Sequence, residues 1–152
     1  KAASTELAYI MLETPSNVSV QIEAARTYSE LGVREKDSAK YLLAIGGARK
    51  MKSGDNLIWG WRKINRLTQG KEAFTNEYYE SRLGIAEARL GYAMLKTGED
   101  KKKYLGYAKL EILNTKKIYA ELGGPEFKAR FDAMLRKIQK ALGERVTGLV
   151  NK

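Results

Sequence analysis

The residues that usually do chemistry are thinly supplied in this chain. It has no cysteine and no histidine. That removes thiolate nucleophiles, disulfides, imidazole acid–base work and the common zinc ligands together. Carboxylates paired with lysines remain, and such pairs can move protons. Glu77, Glu80 and Glu87 fall on or near one helix, but a carboxylate row along a helix is ordinarily a solvated face. "LGGPEF" and Lys52-Ser53-Gly54 lack the preceding strand and the lysine–serine/threonine ending of a phosphate loop. No catalytic residue, cofactor or metal is assigned, and the sequence reads as a protein that is not an enzyme.

Binding chemistry is better represented. "LIWGWRKINR", Leu57 to Arg66, holds both tryptophans and three cations. The formal net charge is +10, and between residues 40 and 71 eight lysines and arginines face Asp55 alone. A basic stripe attracts an acidic protein, nucleic acid or anionic lipid, although a solvated helix face has the same composition. On a helical wheel of 100° per residue, Leu57, Trp61, Ile64 and Thr68 fall together, while Trp59, Arg62, Lys63 and Arg66 gather opposite. Trp61 is therefore expected in the core. Trp59 is either a packing residue between repeats or an indole exposed among cations. In the second case it could receive an acidic, aromatic-bearing peptide or stack a base beside phosphates. The candidate partner-binding set is Trp59, Arg62, Lys63, Arg66, Arg49 and Lys52.

These residues must be placed by helices. Apolar residues recur at helical spacing almost throughout, and only Pro15 and Pro125 interrupt. About seven helices are predicted: Glu6–Glu13, Val18–Leu31 stopped by Gly32, a third from a cap at Asp37 or Ser38 to about Lys50, and the tryptophan segment to about Gln69. Two long ones follow, to Lys96 and to Leu122, and a closing helix covers 125–142 with Phe127, Phe131, Leu135, Ile138 and Leu142 on one stripe. "SNVSV" is the best strand candidate and is too short. The tyrosines are expected mostly in the inter-helix core, and residues 146–152 are expected to fray. No apolar run approaches the ~20 residues that span a bilayer. The composition is that of a soluble protein, cytoplasmic or extracytoplasmic after processing.

"ARLGYAMLKTG", Ala88 to Gly98, resembles the end of the first helix of a tetratricopeptide repeat. Leu90-Gly91 matches the family's leucine–glycine pair and Gly98 its closing glycine; Met94 stands where tyrosine is usual. Pro15 resembles the proline that ends a repeat's second helix. In register from it, Ala25 takes the small position, Tyr28 the aromatic one and Gly32 the closing glycine. In the register set from Gly70, Trp59 falls on the family's early tryptophan position. Asp37 and Lys103 occupy a position normally given to alanine, so the second helices match poorly. The resemblance implies an all-α fold of antiparallel helical hairpins stacked as a short α-solenoid over residues 1–145. Residues 1–14 would be the second helix of an incomplete repeat, making the chain the C-terminal fragment of a longer array. A four-helix-bundle-like or other α-solenoid fold is the alternative.

Stacked hairpins make a concave groove that holds peptides or partner helices. The sequence therefore reads as a non-catalytic interaction scaffold binding an acidic peptide or partner helix, or another domain of its parent chain, in a concave basic groove. A nucleic-acid-binding repeat using residues 40–71 is the alternative, and a purely structural role is the third reading.

Overall fold

The computed structural model describes residues 17–149. It is mostly helical. Among the described residues lie α1 (Val18–Glu35), α2 (Ser38–Gly46), β1 (Ala48–Lys50), β2 (Asn56–Ile58), α3 (Trp61–Thr68), a 3-10 turn (Glu72–Phe74), α4 (Thr75–Met94), α5 (Gly98–Ile118) and α6 (Pro125–Leu142). The helix expected over residues 1–14 falls outside the described residues, so six helices are seen where seven were expected.

The helix starts follow their capping chemistry. The Asn17 side chain accepts the Val20 N–H at 3.2 Å and opens α1. Asp37 does the same for α2 through the Ala39 N–H at 3.0 Å. Pro125 fills the first turn of α6 with Glu126 beside it.

The expected stop at Gly32 is corrected: α1 runs on to Glu35 and ends on Lys36, in the left-handed region at φ 50°. Gly32 serves packing. A β-carbon there would lie 2.7 Å from the Tyr41 ring, and one at Gly91 would also strike that ring. Tyr41 of α2 thus sits between a glycine of α1 and a glycine of α4, and this close seat joins the three helices. Gly91 packs closely against this side chain, not against a helix backbone.

The third helix was expected to reach about Lys50, and Leu57 and Ile58 were placed on a helix. Instead α2 stops at Gly46, and residues 48–58 form an antiparallel hairpin pairing Ala48 with Ile58 and Lys50 with Asn56. Of "SNVSV", Asn17 caps α1 and Val18 to Val20 are its first turn. Strands of three residues show no alternation that a sequence could reveal.

The buried residues form two cores. The first gathers Ile22, Tyr28, Leu31, Tyr41, Ile58, Trp61 and Ile64 with Ile85 and Ala88 of α4. The second gathers Tyr78, Tyr79, Leu83 and Ala86 of α4 with Ile112, Phe131, Leu135 and Ile138. α4 supplies residues to both, and it packs against α1, α2, α3, α5 and α6. In the second core Tyr78, Tyr79 and Tyr119 meet edge to face at 5.1–5.9 Å.

Residues 147–149, expected to fray, are docked. Gln139 Oε1 accepts the Thr147 and Gly148 N–H groups, and Asp132 accepts that of Leu149 at 2.7 Å. Leu149 is buried against the second core. Among the described residues no helix is long and apolar enough to cross a membrane.

Candidate functional site

The tryptophan segment is built by two glycines and a distant glutamine. Gly60 has φ +84° and Gly47 has φ +98°. A β-carbon on Gly60 would strike the Gly47 backbone nitrogen, and one on Gly47 would lie 2.6 Å from the Ile58 carbonyl oxygen. The end of α2 and the β2–α3 junction therefore touch backbone to backbone, which a side chain at either position would prevent. From α1, the buried Gln21 donates through Nε2 to the Leu57 carbonyl at 3.1 Å and accepts the Trp59 N–H at 2.8 Å. One carboxamide thus fixes the backbone on both sides of Ile58.

α3 starts only after Gly60, and its first residue, Trp61, is 2% exposed. Its indole lies against Gly84, where a β-carbon would collide with the ring. Ile64 and Thr68 are buried with it. Asn65 donates to Ser81 Oγ at 3.1 Å, tying α3 to α4. Trp59 is half-buried at the edge of the first core, with Lys63 Nζ 5.2 Å from its ring centroid.

Trp59, Arg62, Lys63 and Arg66 line one open cleft of about 320 Å³ with Gly46, Gly54, Asp55 and Asn56. Four of the six candidate residues are thereby brought together. Arg49, exposed on β1 with φ 63°, and Lys52, exposed in the hairpin turn, are not part of its lining. Among the described residues no carboxylate lies in salt-bridge contact with Arg62, Lys63 or Arg66. Arg62 and Lys63 occupy the first turn of α3, which holds no acidic residue. Cations there oppose the helix dipole.

Four arginines elsewhere are paired through two carboxylates. Arg130 binds Glu80 with two bonds, 2.7 and 3.0 Å, and Arg26 adds a third at 3.1 Å. The Arg130 hydrogen bonds, against the cost of partial burial, hold the Glu80 carboxyl below its ordinary range. This carboxylate, one of the acid–base candidates, is committed to joining α1, α4 and α6. Glu111 Oε1 accepts from Arg89 at 3.1 Å. Its Oε2 lies 3.1 Å from Arg82 Nε, but that N–H is aimed at Thr115 Oγ1, 2.6 Å away. Oε2 consequently has an ion-pair neighbour without an aligned hydrogen bond. Burial lowers the pKa of Arg89; Glu111 opposes that shift and Arg62 of α3 reinforces it.

A second concavity, of about 400 Å³, opens between α1, α4 and α6 and contains none of the six candidates. Its lining carries both signs, with Glu30 and Glu87 beside Arg26, Arg130 and Lys137. The buried Ser29 Oγ at its wall has no partner among the described residues. The helix-lined groove and the basic cleft are thus separate features, where the sequence reading merged them. Sequence reasoning missed Gln21 and Arg89. Nothing local marks Gln21, because its partners lie 36 and 38 residues away.

No known family model, curated protein or solved structure matches this chain. What the cleft can bind follows from its own chemistry.

Proposed function

We propose that the protein is a non-catalytic interaction module that holds an acidic segment of another protein in the Trp59 cleft. The observation that carries this reading is a half-buried indole beside three cations with no carboxylate contact among the described residues. An acidic side chain gains charge-assisted hydrogen bonds from Arg62, Lys63 and Arg66, and a neighbouring apolar or aromatic side chain covers the indole. Asp55, also in the cleft lining, discriminates against a uniformly anionic ligand.

Stacking of α1–α2, α4–α5 and α6 as a short tetratricopeptide-like solenoid belongs to the same proposal. The packing of α4 on both members of the preceding hairpin and on the following helix supports it. Nucleic-acid binding is the alternative, but Arg49 and Lys52 do not extend the cleft lining into a longer cationic track.

The test is fluorescence anisotropy with a labelled glutamate-rich peptide carrying one aromatic residue. Binding is expected to weaken about tenfold or more on Arg62→Glu and to fall steeply with added salt. Equal binding by the unmutated protein and the Arg62→Glu and Trp59→Ala variants would remove the cleft from the function. An oligonucleotide that displaces the peptide and binds more tightly at equal salt would favour the alternative.

A further inference from the structure

We propose that the acidic partner continues beyond the Trp59 cleft as an amphipathic helix, seating its apolar side on the outer face of α5. This rests on the reading of the cleft given above. α5 buries Leu105, Ala108, Ile112 and Thr115. Its opposite side leaves Tyr107 39%, Leu110 53%, Leu113 38% and Ile118 58% exposed. Tyr107 to Ile118 covers three turns, about 16 Å at 1.5 Å per residue. That is a stripe of the length a partner helix grips through residues at i, i+3 or i+4, and i+7.

The chemistry of the rim selects the occupant. Lys103 and Lys117 are exposed along the same side of α5. Lys103 Nζ and the Arg89 guanidinium carbon lie 6.0 and 5.8 Å from the Tyr107 ring centroid. Glu111, the acid closest in sequence to Leu110, is turned to Arg82 and Arg89. An apolar face with Lys103 and Lys117 set among its residues fits a helix with leucine-type residues beside glutamate or aspartate. A second copy of this chain would bring the same cations against themselves, on a molecule of net charge +10. A phosphate backbone would gain nothing from Leu110 or Ile118.

Arg89 links the stripe to the cleft. Its guanidinium lies over the Tyr107 ring, and the positive charge of Arg62 is among the causes that lower its pKa, after burial.

Two synthetic probes test this. The long probe is a labelled acidic helix of about 20 residues, or about 30 Å, with leucines on one face. The short probe is the glutamate-rich peptide used for the cleft. Leu110→Glu with Leu113→Glu is expected to weaken the long probe about tenfold and leave the short probe unchanged, whereas Arg62→Glu weakens both. The milder Leu110→Gln should act in the same direction, and circular dichroism confirms that the variants are folded. If the long probe ignores the leucine substitutions while Arg62→Glu weakens both probes, the extension onto α5 is wrong and the cleft reading stands. If Arg62→Glu affects neither probe, the cleft reading fails, and this inference fails with it. A concentration-dependent dimer dispersed by Leu110→Glu would assign the stripe to a second copy and overturn the proposal.

Discussion

Arg26 and Arg130 converge on Glu80, and Arg82 and Arg89 converge on Glu111. On α3, Arg62 and Lys63 stand in the first turn and Arg66 in the last, with no carboxylate in contact among the described residues. The difference separates two uses of positive charge. Around Glu80 and Glu111 the cations connect helices, so their removal is a stability event. On α3, Arg62 and Lys63 stand against the helix dipole, while Arg66, in the last turn, runs with it. A chain selected only to fold gains by placing an acid at positions 62 and 63. We read that uncompensated cost as the mark of a surface kept for an acidic ligand.

The two sites should respond oppositely to charge changes. The largest effect is expected at Glu111. Replacing it with glutamine leaves Arg82 and Arg89 half-buried without a counter-charge and should cost about 3 kcal/mol, read as a fall in the urea midpoint. Gln21→Leu comes next: it strands the Leu57 carbonyl and the Trp59 N–H, which should cost about 2–3 kcal/mol. It should also shift Trp59 fluorescence in the folded state, because the indole's backbone anchor is gone.

Glu80→Gln is milder, about 1–2 kcal/mol, since its arginine partners are partly solvated. It carries a pH signature as well. The folded-state carboxyl is held below its ordinary value. Its contribution is therefore complete above the unfolded value of about 4.3. It is lost as pH falls through that value and on through the lower folded one. Denaturation between neutral and acid pH should show a shallower loss of stability in Glu80→Gln than in the unmutated protein; identical pH profiles would show that the triad contributes nothing. The smallest effect has the opposite sign. Arg62→Glu should raise stability by about 0.3–0.5 kcal/mol through the α3 dipole, while peptide capture falls.

Much of this contrast was legible in the chain, but unevenly. The spare cations of α3 could be read because the window from 40 to 71 contains only Asp55 to oppose them. Trp61 could be placed in the core because it shares a helical face with Ile64 and Thr68. Trp59 joined Arg62 and Lys63 for a reason the wheel did not contain: it precedes the helix, and Gln21 and the Gly47–Gly60 contact set its position. The Glu80 triad joins residues separated by 54 and 50 positions. No local spacing announces such a pair. Gly32 was read as a helix stop because glycine commonly ends helices; here the space it leaves for Tyr41 is what matters. The short hairpin between α2 and α3 escaped because its strands carry no period to detect.

The most direct measurement pairs two readouts on one protein, Arg62→Glu with Lys63→Glu. Chemical denaturation reports its folding stability, and anisotropy of the labelled glutamate-rich peptide reports its binding. If α3 holds charge in reserve for an acidic partner, this variant should be at least as stable as the unmutated protein and should lose the peptide. A variant that unfolds more easily yet still captures the peptide would contradict that account, because the α3 cations would then be serving the fold and not a ligand.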